Sequence, residues 1–406
     1  MAQHPLDGAI YEGFEYLGYS DQGGRPEAIQ VMVADGYAYL GQGQGLTVLD
    51  VSDPRAIKPV FHRPVLGAKT WSGHLQVHGD LLLVNEEIDN GLFPASASPR
   101  QSMFGQPGVD FSAGMRVYDI SDRGNPREIG FMPVAGCGVH RMWYDGGRYV
   151  YASAFLDGYT DAIFLSIDLS DPARPTEVAR WWLPGMWEDG AEEPSWTGRY
   201  ALHHPIVKDE IAYCAWRDGG MVVLDVHDPA KPTLISHTNW SPPFGGNTHN
   251  CLSLPDRQLI VVTDESSMDH CADQVKYTWI FDARELSRPV SVSTLPTPAE
   301  RDFCAEPGHF GPHNIYENRA GAWQDSSTVF VTYQNAGLRA FDIANQYQPR
   351  QTGYFVAAPP EPDSAAPGGE PVPLHSADVF VTADGVCFLT DTDRGLFALQ
   401  YTGRRG

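Results

Sequence analysis

Five histidines recur at one place relative to the strand pattern that follows each of them. They are His74 in SGHLQVHGDLLLV, His140 in GCGVHRMWYDGGRYVY, His204 in ALHHPIVKDEIAYC, His249 in THNCLSLPDRQLIVV and His313 in GPHNIYENR. A buried imidazole needs a partner for both ring nitrogens, so packing alone is a poor reason to repeat one five times. The pattern points to convergence on a metal ion. His140, His204, His249 and His313, from consecutive repeats, are the expected core of the ligand set, with His74 as a fifth ligand or a substrate contact. Sets rich in neutral imidazole suit Fe, Cu, Zn or Ni, whereas Mg and Ca take oxygen ligands. A polar channel whose histidines hydrogen-bond in a circle through water is the competing reading.

Other residues fall around that ring. Glu86, Asp264 and Glu265 follow the second strands of their repeats and are candidates for general acid/base catalysis or for carboxylate partners of ligand N–H groups. Gln30 and Asp378 take the histidine slot in the first and last repeats, and His375 lies three residues before Asp378. With Arg217 they are the candidate substrate-binding residues. His203 precedes His204 and on an extended strand points the other way, so packing is its expected role. His62, His78, His227 and His237 fall on outer strands or turns.

The elements that position these residues come from a repeated phrase. GLTVLDVSDP at Gly45 returns as GMRVYDISDRGNP, AIFLSIDLSDPARP, GMVVLDVHDPAKP, TWIFDARELSRP, GLRAFDIANQYQP and GLFALQYTG. Each copy is an alternating apolar strand, and the first six end in an Asp and a Pro-containing turn. A short apolar strand such as YAYLG or LIVVT precedes each copy, with the histidine-bearing strand ahead of it and a fourth strand after the proline. Four strands per unit predict an all-β, seven-bladed β-propeller with four antiparallel strands per blade, formed as a single domain over residues 1–406. The last copy lacks a fourth strand, and an orphan strand at about 12–20 is expected to supply it, closing ring end to end. Long segments at 87–113 and 264–276 are expected to cover the site, and the Pro-rich 359–373 to link two blades.

The phrase and its flanks resemble the LVIVD-repeat family, which implies the propeller but carries little about activity. One histidine per blade is similar in architecture to the carotenoid cleavage dioxygenases, propellers with four histidines on non-haem Fe(II). It is similar too to the copper-bearing selenium-binding, methanethiol-oxidising propellers. These resemblances imply Fe(II) first, with Cu or Zn as alternatives, and an oxidoreductase acting on a small organic molecule. A redox-inert ion would imply a lyase, dehydratase or hydrolase at the same site, and a non-enzymatic interaction scaffold is the third class.

Composition narrows the partners. With 51 acidic and 28 basic residues the formal charge is -23, a field that repels nucleic acid and anionic membranes. The first residues show no basic stretch leading into an apolar one, and no apolar run is long enough to span a bilayer. A cytoplasmic protein with a small-molecule substrate is expected; the oligomeric state is open. Cys137, Cys214, Cys251, Cys271, Cys304 and Cys387 contain no CxxC pair, so reduced thiols are expected.

Overall fold

The aspartate that ends each repeated strand accounts for the turn after it. Asp50, Asp119, Asp168, Asp225, Asp282 and Asp342 each accept, through Oδ1, the backbone N–H two residues on, at 2.7–3.0 Å. These are Asx turns, in which a short side chain replaces a missing backbone acceptor and the strand stops. The seventh copy has Gln400 in that position, and the chain instead runs on until Thr402 donates to the carbonyl of Gly13 at 2.9 Å.

The computed structural model describes residues 6–89, 109–194, 196–358 and 372–403. Among these the strands form six antiparallel sheets, five of four strands and one of nine. The first sheet is a simple meander of Gln30–Ala34, Tyr37–Gln42, Gly45–Asp50 and Lys58–Pro64. The nine-stranded sheet holds two such meanders, joined where Gly138 of Gly136–Trp143 pairs with Glu87 of Leu81–Ile88. In the sheet containing Thr328–Thr332 the histidine-bearing segment 313–316 is not a full strand, and its bridge is Ile315 with Val331.

The innermost strands adjoin in a circle. Gln30–Ala34 lies beside Leu75–His78, followed by Gly136–Trp143, His204–Lys208 and Thr248–Leu254. Thr263 then donates to the carbonyl of His313, and Ser376–Val381 packs back on Gln30–Ala34. The N-terminal segment enters two sheets. Phe14–Ser20 pairs with Gly395–Tyr401, and Ile10–Glu12 pairs with Arg350–Val356. Gly18 lets the first of these approach its neighbour, because a Cβ there would lie 2.2 Å from the carbonyl oxygen of Pro54. Side chains such as Leu40, Val48, Leu224, Val261 and Phe397 fill the space between sheets and are fully buried, the main source of stability in a fold built of sheets.

One expectation needs correcting here. Cys271 and Cys304 form a disulfide with Cα atoms 5.4 Å apart, while the other four cysteines are free and buried. Spacing along the chain gave no sign of it, because the two segments meet only after folding: Asp269 bridges His309, and His270 Nδ1 hydrogen-bonds the carbonyl of Cys304 at 3.0 Å. Disulfides persist mainly in oxidising compartments, so the bridge lends no support to the cytoplasmic expectation. No helix among the described residues is long and apolar enough to cross a membrane. Residues 90–108 of the first expected covering segment and 359–371 of the expected linker lie outside the described residues.

Candidate metal centre

Hydrogen bonding sorts the starts of the innermost strands into two rows. The lower row is Gln30, His74, Arg141, His204, Asn250, Asn314 and Asp378. Four of these donate a backbone N–H to a side chain on the paired strand: His74 to Asn85, Arg141 to Ser153, Asn314 to Thr332 and Asp378 to Thr390, at 2.7–3.0 Å. The upper row is the residue before each: Ile29, Gly73, His140, His203, His249, His313 and Ala377. Ile29, His203 and His313 share one signature, an N–H donated to the backbone carbonyl of Gly41, Ala215 or Thr332.

The sequence slot therefore mixed two rows. His140, His249 and His313 lie in the upper one, joined by His203, whereas His74 and His204 lie below with Gln30 and Asp378. Period-two alternation failed at His203 because the strand begins only at His204. Register shifts at Val139/Met142, Thr248/Asn250 and Ser376/Asp378 break it elsewhere.

All four upper imidazoles have Nδ1 held by an oxygen. His203 bonds the carbonyl of His249 at 2.7 Å, His249 that of His313 at 3.1 Å, and His313 that of Ala377 at 2.6 Å. His140 bonds Glu87 Oε1 at 2.7 Å. A carbonyl only accepts, so His203, His249 and His313 carry their proton on Nδ1 and leave Nε2 as a bare lone pair. Ring centroids follow one another at 5.0 Å from His140 to His203, 3.7 Å to His249 and 4.3 Å to His313. Burial holds His203 and His249 well below the usual histidine range and lowers His313, so these rings are neutral.

Glu265 completes the cluster. Its Oε2 stands 3.5 Å from His249 Nε2 and its Oε1 3.6 Å from His313 Nε2, and ligand atoms of the three residues lie within 4.8 Å of one another. Burial disfavours its charge, but the Arg217 guanidinium that hydrogen-bonds it offsets this, and the carboxyl sits well below the usual carboxylate range. Bare imidazole nitrogens with oxygen-anchored Nδ1–H groups, facing an ionised carboxylate, fit a transition-metal ion.

The other expected site residues have different work. Arg141, buried in the channel, donates to His74 Nδ1 at 3.0 Å and to Asn314 Oδ1 at 3.0 Å. Arginine has no acceptor, so His74 keeps its proton on Nε2 and has no lone pair to offer. His204 is likewise committed on both sides, to Met142 and Asn250. Glu86 pairs with Arg116 rather than with a histidine; its neighbour Glu87 serves His140. Asp264, pushed up to about 6 by burial, accepts from Trp240, Trp279 and Thr248 and so braces the sheet. Arg217 is held by Glu265 and Asn247. Gln30 accepts the Leu75 N–H and Asp378 the Val31 N–H, while the His375 ring lies 5.2 Å from that of His313. Sequence reasoning missed His203, Glu87 and Arg141.

Histidines occupy one side of the upper row; Ile29, Gly73 and Ala377 occupy the other. A cavity of about 500 Å³ opens on that second side, with Ile29, Glu27, Gln42, Gln44, His62 and Asp393 in its wall. Such a volume suits a small organic molecule. Trp71, stacked near His140 at 6.2 Å, packs against Gly43 beside it. Another cavity, about 220 Å³, opens elsewhere between Trp143, Lys208 and Glu317; the upper-row histidines line neither cavity.

An all-β array of antiparallel meanders around a channel is the architecture of a β-propeller, and similar solved structures bear this out. The β-propeller domain of Cps50 (Swd1) from Myceliophteria thermophila matches with a TM-score of 0.55 at 10% identity, covering 92% of this chain and 97% of its own. The periplasmic gluconolactonase PpgL of Pseudomonas aeruginosa matches with a TM-score of 0.55 at 14% identity, covering 89% and 94%. A Bacteroides uniformis protein described provisionally as a 6-phosphogluconolactonase matches at 0.53 and 12%, covering 80% and 87%. Residues 27–60 and 206–239 match the LVIVD repeat, so this chain is similar to that repeat family in two of its meanders. No curated protein matches the sequence.

Proposed function

We propose that the chain is a single seven-bladed propeller and a metal-dependent enzyme acting on a small organic molecule at the upper-row histidines. The seven-blade count treats the nine-stranded sheet as two blades fused at the Gly138–Glu87 pair. One observation carries the enzyme reading: four neighbouring imidazoles each have Nδ1 on an oxygen acceptor, and in three of them backbone carbonyls leave Nε2 bare. A water-satisfied polar ring has no need to set one tautomer repeatedly. His249, His313 and Glu265, whose ligand atoms lie within 4.8 Å of one another, would hold the ion, with His203 and His140 as flanking ligands that the ion would have to draw in; the imidazole-rich set suits Fe(II), with Cu or Zn as alternatives.

The bound ion would supply redox chemistry if Fe or Cu, and Lewis acidity if Zn. The chain's own residues then divide the work. Glu265, held ionised beside the Nε2 atoms, would supply the negative charge that balances the ion. Arg217 fixes that carboxylate in place, and the cavity beside Ile29 admits substrate on the histidine-free side. An oxidoreductase is the first reading. Hydrolysis is the second, favoured by gluconolactonases sharing the propeller architecture.

Elemental analysis of untagged protein, purified without chelator, tests the proposal. Near-stoichiometric Fe or Cu supports the first reading and Zn the second, while trace amounts of every metal would sink both. Oxygen consumption and lactone hydrolysis by the loaded protein then separate the two reactions.

A further inference from the structure

The polar row beneath the imidazoles determines which nitrogen of His249 faces the site. We infer that Asn250 and His204 are positioning residues, linking the Met142 carbonyl to the His313 carbonyl through a closed chain that holds His249 with Nε2 bare. The contacts run in order. His204 Nε2 lies 3.3 Å from the Met142 oxygen, and Asn250 Nδ2 lies 3.0 Å from His204 Nδ1. Asn250 Oδ1 lies 2.8 Å from His249 Nδ1, and that nitrogen lies 3.1 Å from the His313 oxygen.

Donor and acceptor roles follow from the two ends, because both are carbonyls and carbonyls only accept. The His313 oxygen puts the His249 proton on Nδ1. The Asn250 atom beside it must then be the oxygen, which turns the amide nitrogen toward His204 Nδ1. That nitrogen must accept, so His204 carries its proton on Nε2, as the Met142 oxygen requires. Reversing any member would set two donors or two acceptors face to face inside a buried site, where neither can be satisfied. His204, Asn250 and His249 are all fully or almost fully buried, so water cannot substitute for a lost member. Glu317 Oε1, an acceptor 3.5 Å from His204 Nδ1, would favour a proton on that nitrogen, so the tautomer of His204 is the point at which the chain is tested. His204, the fourth expected ligand, thus acts one step behind the ion.

The bearing on a metal rests on the proposed function; the tautomer chain itself does not. Long-range proton–nitrogen correlation spectra of metal-free protein labelled with ¹⁵N-histidine should show the Nδ1–H form for His249 and the Nε2–H form for His204. A His204 signal with the proton on Nδ1 overturns the inference. Zinc titrations against a chromophoric chelator provide the second readout. Asn250→Leu should weaken zinc binding about 10–100-fold, the usual cost of losing a residue that orients a ligand. His204→Phe should weaken it about 10-fold, since the His313 carbonyl still holds His249. Equal zinc affinity in folded wild type and Asn250→Leu would count against the positioning role. His249→Ala is the control: if it too binds zinc as wild type does, the metal site itself is wrong, whatever the tautomers.

Discussion

His203 and His249 stack with ring centroids 3.7 Å apart, and Nδ1 of His203 bonds the backbone carbonyl of His249 at 2.7 Å. Neighbouring sheets are thus coupled through a side chain that also presents its Nε2 to the channel. Replacing His203 by alanine should lower zinc or iron affinity by more than about 100-fold, as loss of a direct ligand exceeds loss of a supporting group. His62→Ala, on an outer strand, should leave affinity unchanged. Equal metal content in purified His203→Ala and wild-type protein would remove His203 from the site.

Glu265 and Arg217 form a largely buried ion pair beside the imidazoles. Glu265→Gln keeps the shape and a hydrogen-bond acceptor but removes the charge that Arg217 needs. The variant should lose about 1–3 kcal/mol of stability, the range for hydrogen bonds to charged groups, and should also bind metal more weakly. The double variant Glu265→Gln, Arg217→Met should recover stability in denaturant titrations without recovering metal. Recovery of both would show that Glu265 acts only as the arginine's counter-ion.

How far the sequence could be read depended on the kind of order each feature has. Strand alternation and the Asp-containing turn are local, so the meanders and the pairing of Phe14–Ser20 with Gly395–Tyr401 were legible from the chain. The histidine rows were legible only to within one residue, because irregular strand starts break alternation where the side chains matter. Aligning the dipeptides His140-Arg141, His203-His204, His249-Asn250 and His313-Asn314 would have put His203 in line, since a polar residue follows each upper histidine. The Cys271–Cys304 bridge and the Arg141–His74 contact join residues 33 and 67 positions apart. Nothing in local pattern encodes such meetings.

The disulfide ties together the two segments that deliver Glu265 and His313, one ending six residues after the former and the other nine before the latter. Closing a loop of 33 residues corresponds to about 4 kcal/mol in the chain-entropy treatment. Cys271→Ser with Cys304→Ser should therefore lower the melting temperature and weaken metal binding together. Intact mass before and after alkylation under non-reducing conditions checks the premise. Two alkylated cysteines at 271 and 304 in protein folded under air would show that the bridge does not form.

Asp378 gives a pH test that needs no metal. Burial pushes its carboxyl up to about 7, with Arg141 opposing, and one oxygen accepts the Val31 N–H at 3.2 Å. A raised folded pKa means that the folded state binds more protons than the unfolded one between about pH 4 and 7. Its contribution to stability is complete below the unfolded value and falls as pH rises through about 7, by on the order of a few kcal/mol. Asp378→Asn can keep the Val31 bond and should be less sensitive to pH across that window, with its largest relative gain above pH 7. Parallel stability curves for the two proteins from pH 4 to 8 would refute the assignment.

Closure by the N-terminal segment makes the final prediction. Phe14–Ser20 supplies the outer strand beside Gly395–Tyr401, and Phe14 packs its ring on Tyr401 at 5.4 Å. Gly18 presses against the turn at Pro54, in the sheet that follows around the circle. Removing residues 1–20 would bare the edge of Gly395–Tyr401 and open the seam with the first sheet. It would also take Ile10–Glu12 from beside Arg350–Val356, baring a second edge. The truncated chain should melt at a markedly lower temperature and aggregate through these edges. Adding a synthetic peptide of residues 9–21 should restore part of the loss by strand addition. A truncated protein with an unchanged melting temperature would mean that the seam is held by the inner strands alone.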